Sequence, residues 1–127
     1  MKAAVRTDKA PAPFQGAPYS QGIVFGDLVF VAGQLGIDPA SGQVVEGGIA
    51  EQTERVMQNL EAILEEAGSG LDKLVKTSIF LVDLADFAAM NEVYASHLTE
   101  PYPARATVQI AALPSGALVE IEAVAHT

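Results

Sequence analysis

The sequence predicts an α+β fold, a mixed β-sheet with two helices packed on one face, in the order β-β-β-α-β-α-β-β. Three observations predict it. Two stretches, Ile49–Ala67 and Leu84–Leu98, repeat apolar residues every three or four positions, the period of a helix with one buried stripe. Six shorter apolar runs, bounded by Gly, Pro, Asp or Ser, have the length and punctuation of strands. At 127 residues, half of them hydrophobic, with no repeat or linker, the chain suits one domain, 1–127, with its own core.

The elements follow in order. A short strand falls near Ala4–Thr7, and a Pro-rich loop runs from Ala10 to Pro18. Gly22–Phe25 and Leu28–Ala32 are apolar runs separated by Gly26-Asp27, a hairpin signal because Gly tolerates the positive φ of a tight turn. Asp38-Pro39-Ala40-Ser41-Gly42 is a second turn, with φ preset at Pro. The stripe Ile49, Thr53, Val56, Met57, Leu60, Ile63, Leu64 and Ala67 marks the first helix, which Gly68-Ser69-Gly70 ends. Val75–Val82 reads as a strand apolar enough around Ile79-Phe80-Leu81 to be buried on both faces. The second helix places Phe87, Met90, Asn91, Tyr94 and Leu98 on one side, and Pro101 and Pro103 stop it. Two strands, Arg105–Ala111 and Leu118–Ala125, close the chain across a turn at Leu113–Gly116. The strand between the helices is expected to lie parallel to a neighbour through a crossover connection. Two helices cover only one face of such a sheet, so the other face is expected to meet further copies in a closed homo-oligomer built round a central barrel.

Composition narrows the function. Sixteen Asp and Glu stand against seven Lys and Arg, and the cations do not cluster, which argues against a nucleic-acid partner. Without cysteine, disulfides, thiolate catalysis and thiolate metal sites are excluded. No apolar run reaches membrane-spanning length and Met1–Pro13 lacks a signal-peptide core, so a cytoplasmic protein with no membrane partner is expected. There is no phosphate-binding Gly-rich loop, and His97 and His126 are isolated, so neither cofactor nor metal is expected.

One cation draws attention. From Thr77 to the end the chain holds six carboxylates and a single Arg, Arg105, at the start of a strand behind Tyr102-Pro103-Ala104. A guanidinium offers a planar fork that matches a carboxylate bidentately; an ordinary surface pairing with Glu92 or Glu100 is the plain alternative. Alternation along the strands sets Arg105, Thr107 and Gln109 on one face, and Glu120 and Glu122 on one face of the last strand. If the two strands are close, the rows meet, and a Glu beside an Arg stays ionised and can orient water. Tyr19, Gly33 and Asn91 are weaker candidates for lining such a site.

Ala17-Pro18-Tyr19-Ser20-Gln21-Gly22, Val31-Ala32-Gly33-Gln34-Leu35-Gly36, Asp83-Leu84-Ala85-Asp86-Phe87 through Asn91, Pro103-Ala104-Arg105-Ala106-Thr107-Val108 and Val119-Glu120-Ile121-Glu122-Ala123 together resemble the RidA/YjgF family of reactive-intermediate deaminases. The resemblance runs from about Pro11 to Ala125. It implies a chorismate-mutase-like α+β fold and a homotrimer with active sites between subunits. It also implies hydrolysis of 2-imino acids and their enamine tautomers, such as 2-aminoacrylate, to 2-keto acids and ammonia. By position, Arg105 would bind the substrate carboxylate and Glu120 would position or activate the attacking water. Tyr19, the backbone of Gly33, Asn91 and Thr107 would line the pocket. Ala32 stands where many members have Ser, Thr107 where some have Cys, and the connection 99–103 is shorter than usual. The resemblance leaves open relatives acting on aminoacrylate from pyrimidine breakdown or on 2-aminomuconate-like compounds, and relatives described as holdase chaperones or ribonucleases.

Overall fold

A computed structural model describes all 127 residues, Met1–Thr127. Six strands form one sheet in the order β1-β2-β3-β6-β4-β5: β1 Ala3–Val5, β2 Gly22–Phe25, β3 Leu28–Leu35, β4 Leu74–Leu81, β5 Ala104–Gln109 and β6 Val119–His126. Every neighbouring pair is antiparallel except β4 and β5, which are parallel and joined through the second helix, as the crossover argument expects. The β2–β3 hairpin turns at Gly26, whose φ of 61° lies in the left-handed region that glycine enters without steric cost.

Helix α1, Ile49–Glu66, lays its stripe on the sheet: Val56, Met57, Leu60, Ile63 and Leu64 are all fully buried. Each such side chain contributes about 1.5–3 kcal/mol of hydrophobic stabilisation. At its start the Glu51 carboxylate accepts from the Gly48 N–H at 2.8 Å. Helix α2, Phe87–Ser96, is shorter than the periodicity predicts. Residues Leu84–Asp86 form a 3-10 turn in which the Asp83 carboxylate accepts from the Ala85 N–H, so the apolar spacing begins one turn before the α-helix does. Both helices share one face with Ile79, Leu81, Val119, Ile121, Ala123 and Ala125 in the core. No helix is long and apolar enough to cross a membrane.

Three expectations need correction. Strand β3 runs on to Leu35, with an irregularity between Val31 and Gln34 that displaces Ala32 and Gly33 from the ladder with β6. Strand β4 is buried on one face only within the chain: Thr77, Ile79 and Leu81 are buried, while Lys76 is exposed and Ser78 and Phe80 are half-buried. The run Ile79-Phe80-Leu81 is continuous because its odd and even members serve two different surfaces. Finally, β5 and β6 are not neighbours. Strand β4 lies between them, because β6 completes an antiparallel pair with β4 and leaves β5 the parallel edge.

Candidate active site

Register decides which candidates can meet. In β4, Thr77 pairs with Arg105 and Ile79 with Thr107, so the Arg105 row faces the helices. Phe80 pairs with Glu120 and Ser78 with Glu122, so the glutamates face the open side. The expected meeting of Arg and Glu rows therefore does not occur within the chain. They sit on opposite faces with a strand between them, and two half-sites result.

The first half-site is built by α2 over β5. Phe87, Asn91 and Tyr94 stand at i, i+4 and i+7 of α2 and so project from one face. Arg105 Nη1 donates to Asn91 Oδ1 at 2.6 Å, and its guanidinium carbon lies 5.4 Å from the Phe87 ring centre and 5.3 Å from that of Tyr94. The Tyr94 ring is itself fixed by a buried hydrogen bond of 2.7 Å between its hydroxyl and that of Thr77. Burial raises the Tyr94 phenol above its ordinary pKa, outweighing the Thr77 hydrogen bond and the Arg105 charge, so the ring stays neutral. Arg105 makes no ion pair with Glu92, Glu100 or any other carboxylate. In a chain with more than twice as many acids as bases, this exposed guanidinium keeps its charge uncompensated. Beside it lies a cavity of about 260 Å³ bounded by Leu98, Tyr102 and Pro103. Thr107 follows Arg105 on the same face, its hydroxyl buried without a hydrogen-bond partner.

The second half-site gathers around Glu120, in a cavity of about 700 Å³ whose wall includes Tyr19, Ala32, Gly33, Glu120 and Pro114. Gly33 is needed here for space: a Cβ on it would overlap the Glu120 carboxylate. Burial pushes the Glu120 carboxyl above the usual range, and the charge of Glu122 adds to this. Within one chain, then, no neighbouring Arg keeps this carboxylate ionised. The Tyr19 hydroxyl accepts from the Phe14 N–H at 2.6 Å, holding the loop that forms the opposite wall and leaving its own proton free to donate.

Sequence reasoning overlooked three groups. Phe87 and Tyr94 lie within cation–π range of the guanidinium, and their spacing from Asn91 was the available signal. Gln21, which is buried, accepts from the Thr7 N–H and donates to the carbonyls of Thr7, Ala10 and Pro11, so one amide clips the Pro-rich loop against β2. The isolated residues have structural tasks: His97 bonds Glu54 at 2.8 Å and ties α2 to α1, and Ser69 donates to the His126 carbonyl.

A family model described as Endoribonuclease L-PSP matches residues 7–127. A RutC family protein of Pyrococcus abyssi is 50% identical over 98% of this chain and 97% of its own. The human protein named 2-iminobutanoate/2-iminopropanoate deaminase is 43% identical over 95% of this chain and 87% of its own. The crystal structure of RidA from an Antarctic Psychrobacter superposes with a TM-score of 0.94 at 47% identity, covering 98% of this chain and 99% of that one. The chain belongs to the RidA/YjgF family.

Proposed function

We propose that the protein hydrolyses 2-imino acids, and the enamines in equilibrium with them, to 2-keto acids and ammonia. The observation that carries this reading is Arg105, a guanidinium held by an amide and two rings and paired with no carboxylate of its own chain. Such a group is set to receive a carboxylate from outside. The deaminase name carried by relatives at 43–45% identity supports the same substrate class.

Arg105 and Glu120 occupy opposite faces of one sheet, so we assign the complete site to a cleft between subunits of a homotrimer. There the Arg105 half of one copy meets the Glu120 half of the next. Arg105 binds the substrate carboxylate, with Asn91 holding the guanidinium. Glu120, in its ionised form, accepts a proton from water as the water oxygen bonds to the imine carbon. The C=N bond becomes a C–N single bond. Glu120 hands that proton to nitrogen, then takes the hydroxyl proton as the C=O bond forms and the C–N bond breaks, and passes it to the departing ammonia, so keto acid and ammonium leave and Glu120 is ionised again. A protonated imine is already electrophilic, so positioning and charge stabilisation supply most of the acceleration and the scheme calls for no cofactor.

The test is a competition. A serine or threonine dehydratase releases the imine in the presence of semicarbazide, and semicarbazone and keto acid are measured. Wild type is expected to divert imine into keto acid and Arg105→Ala to lose at least 100-fold of that effect, the scale of one lost orienting group (~10²). Equal diversion by both proteins would refute the reading. The family description favours one second reading, RNA cleavage. RNA degradation that survives Arg105→Ala would support it instead.

A further inference from the structure

The Arg105 environment holds more than a carboxylate receptor needs. Arginine has long, flexible side-chain torsions, and fixing them costs up to about 2 kcal/mol of rotamer entropy. An acidic partner would fix the side chain but neutralise it. Here the charge is held without being neutralised: Asn91 takes one N–H through a neutral oxygen, and the Phe87 and Tyr94 rings lie within cation–π range of the guanidinium. Tyr94 cannot drift, because it is buried and its hydroxyl is bonded to Thr77 on β4, the residue paired with Arg105 in the sheet.

We propose that Phe87 and Tyr94 are positioning residues that seat the Arg105 guanidinium in one plane, ready for a carboxylate, with Thr77 indexing the Tyr94 ring to the strand that carries the arginine. The seat sets affinity and orientation for the carboxylate; it does not touch the imine. The inference rests on reading Arg105 as a carboxylate clamp.

Phe87 is the informative position, because it is 40% exposed and its ring can be removed without opening the core. The experiment uses the intact protein as wild type, Phe87→Leu, Phe87→Tyr and Arg105→Lys. The probes are 2-oxobutanoate and its uncharged amide, and each dissociation constant is measured. The Nε–Hε resonance of Arg105 is recorded without ligand. Phe87→Leu is expected to weaken 2-oxobutanoate about 3- to 30-fold, the range of a cation–π contact, and to leave the amide unchanged. Its Arg105 resonance moves toward that of free arginine, whereas Phe87→Tyr, which keeps the ring, stays within about twofold of wild type. A merely structural role would move both probes together. Wild-type affinity and an unmoved resonance in Phe87→Leu would overturn the seat. Equal binding of 2-oxobutanoate by wild type and Arg105→Lys would overturn the clamp reading itself, an outcome separable from the first because the resonance needs no ligand.

Discussion

At the scale of residues, Arg105 was legible as the one cation among the last carboxylates, and nothing in the structure pairs it off. Glu120 was legible as polar on an alternating strand. Its neighbour was not, because alternation fixes which face a side chain takes but not which strand lies beside it. The consequence is a Glu120 raised in pKa by burial and by Glu122 rather than ionised by an arginine. Both causes act within one chain and favour the protonated acid, whereas in the proposed cleft the guanidinium of the adjoining copy favours the carboxylate that the proposed reaction needs, so the acid limb of the kcat/KM profile reports the balance of the three. Glu122→Gln removes the second cause. Its acid limb is expected to shift to lower pH, with the plateau rate retained; a limb in the same place would mean that the Glu122 charge does not reach Glu120.

Among elements, the helical period located α1 and most of α2, and the Gly-Asp turn located the β2–β3 hairpin. The irregularity at Ala32–Gly33 was not legible, since it exists only in pairing with β6. Neither was the clip on the Pro-rich loop: Gln21 gains its meaning from four backbone partners, ten to fourteen residues away, that no local pattern reveals. Gln21→Leu leaves those groups, buried at Ala10 and partly buried at Thr7 and Pro11, without partners. It is expected to lower the free energy of unfolding by about 1–3 kcal/mol, measured by urea denaturation. Because the loop carries Phe14 and so the support of Tyr19, turnover should fall as well. A variant as stable as wild type would show that the loop is held by something else.

Over the whole molecule, the sheet is covered by helices on one side, and the other side exposes Phe30, Val75 and Val108, with Phe25 and Leu28 at the hairpin. The layer count was legible from two helices and six strands, and the same count motivates the proposed cover by further copies. Which half-sites the cover would join was not, because that depends on strand order. With β4 inserted between β5 and β6, one chain presents its guanidinium and its carboxylate on opposite faces. On the proposed reading, a complete site therefore takes two copies.

Mixing two inactive variants tests this division most directly. Arg105→Ala and Glu120→Gln are each purified, unfolded, mixed in equal amounts and refolded together, and imine hydrolysis is compared with the separately refolded proteins. In a cyclic trimer with random assembly, a site takes an intact Arg105 from one subunit and an intact Glu120 from the next in about one case in four. The account predicts recovery of roughly a quarter of wild-type activity. A mixture no more active than the sum of its parts would contradict it, because the two residues would then have to act within one chain.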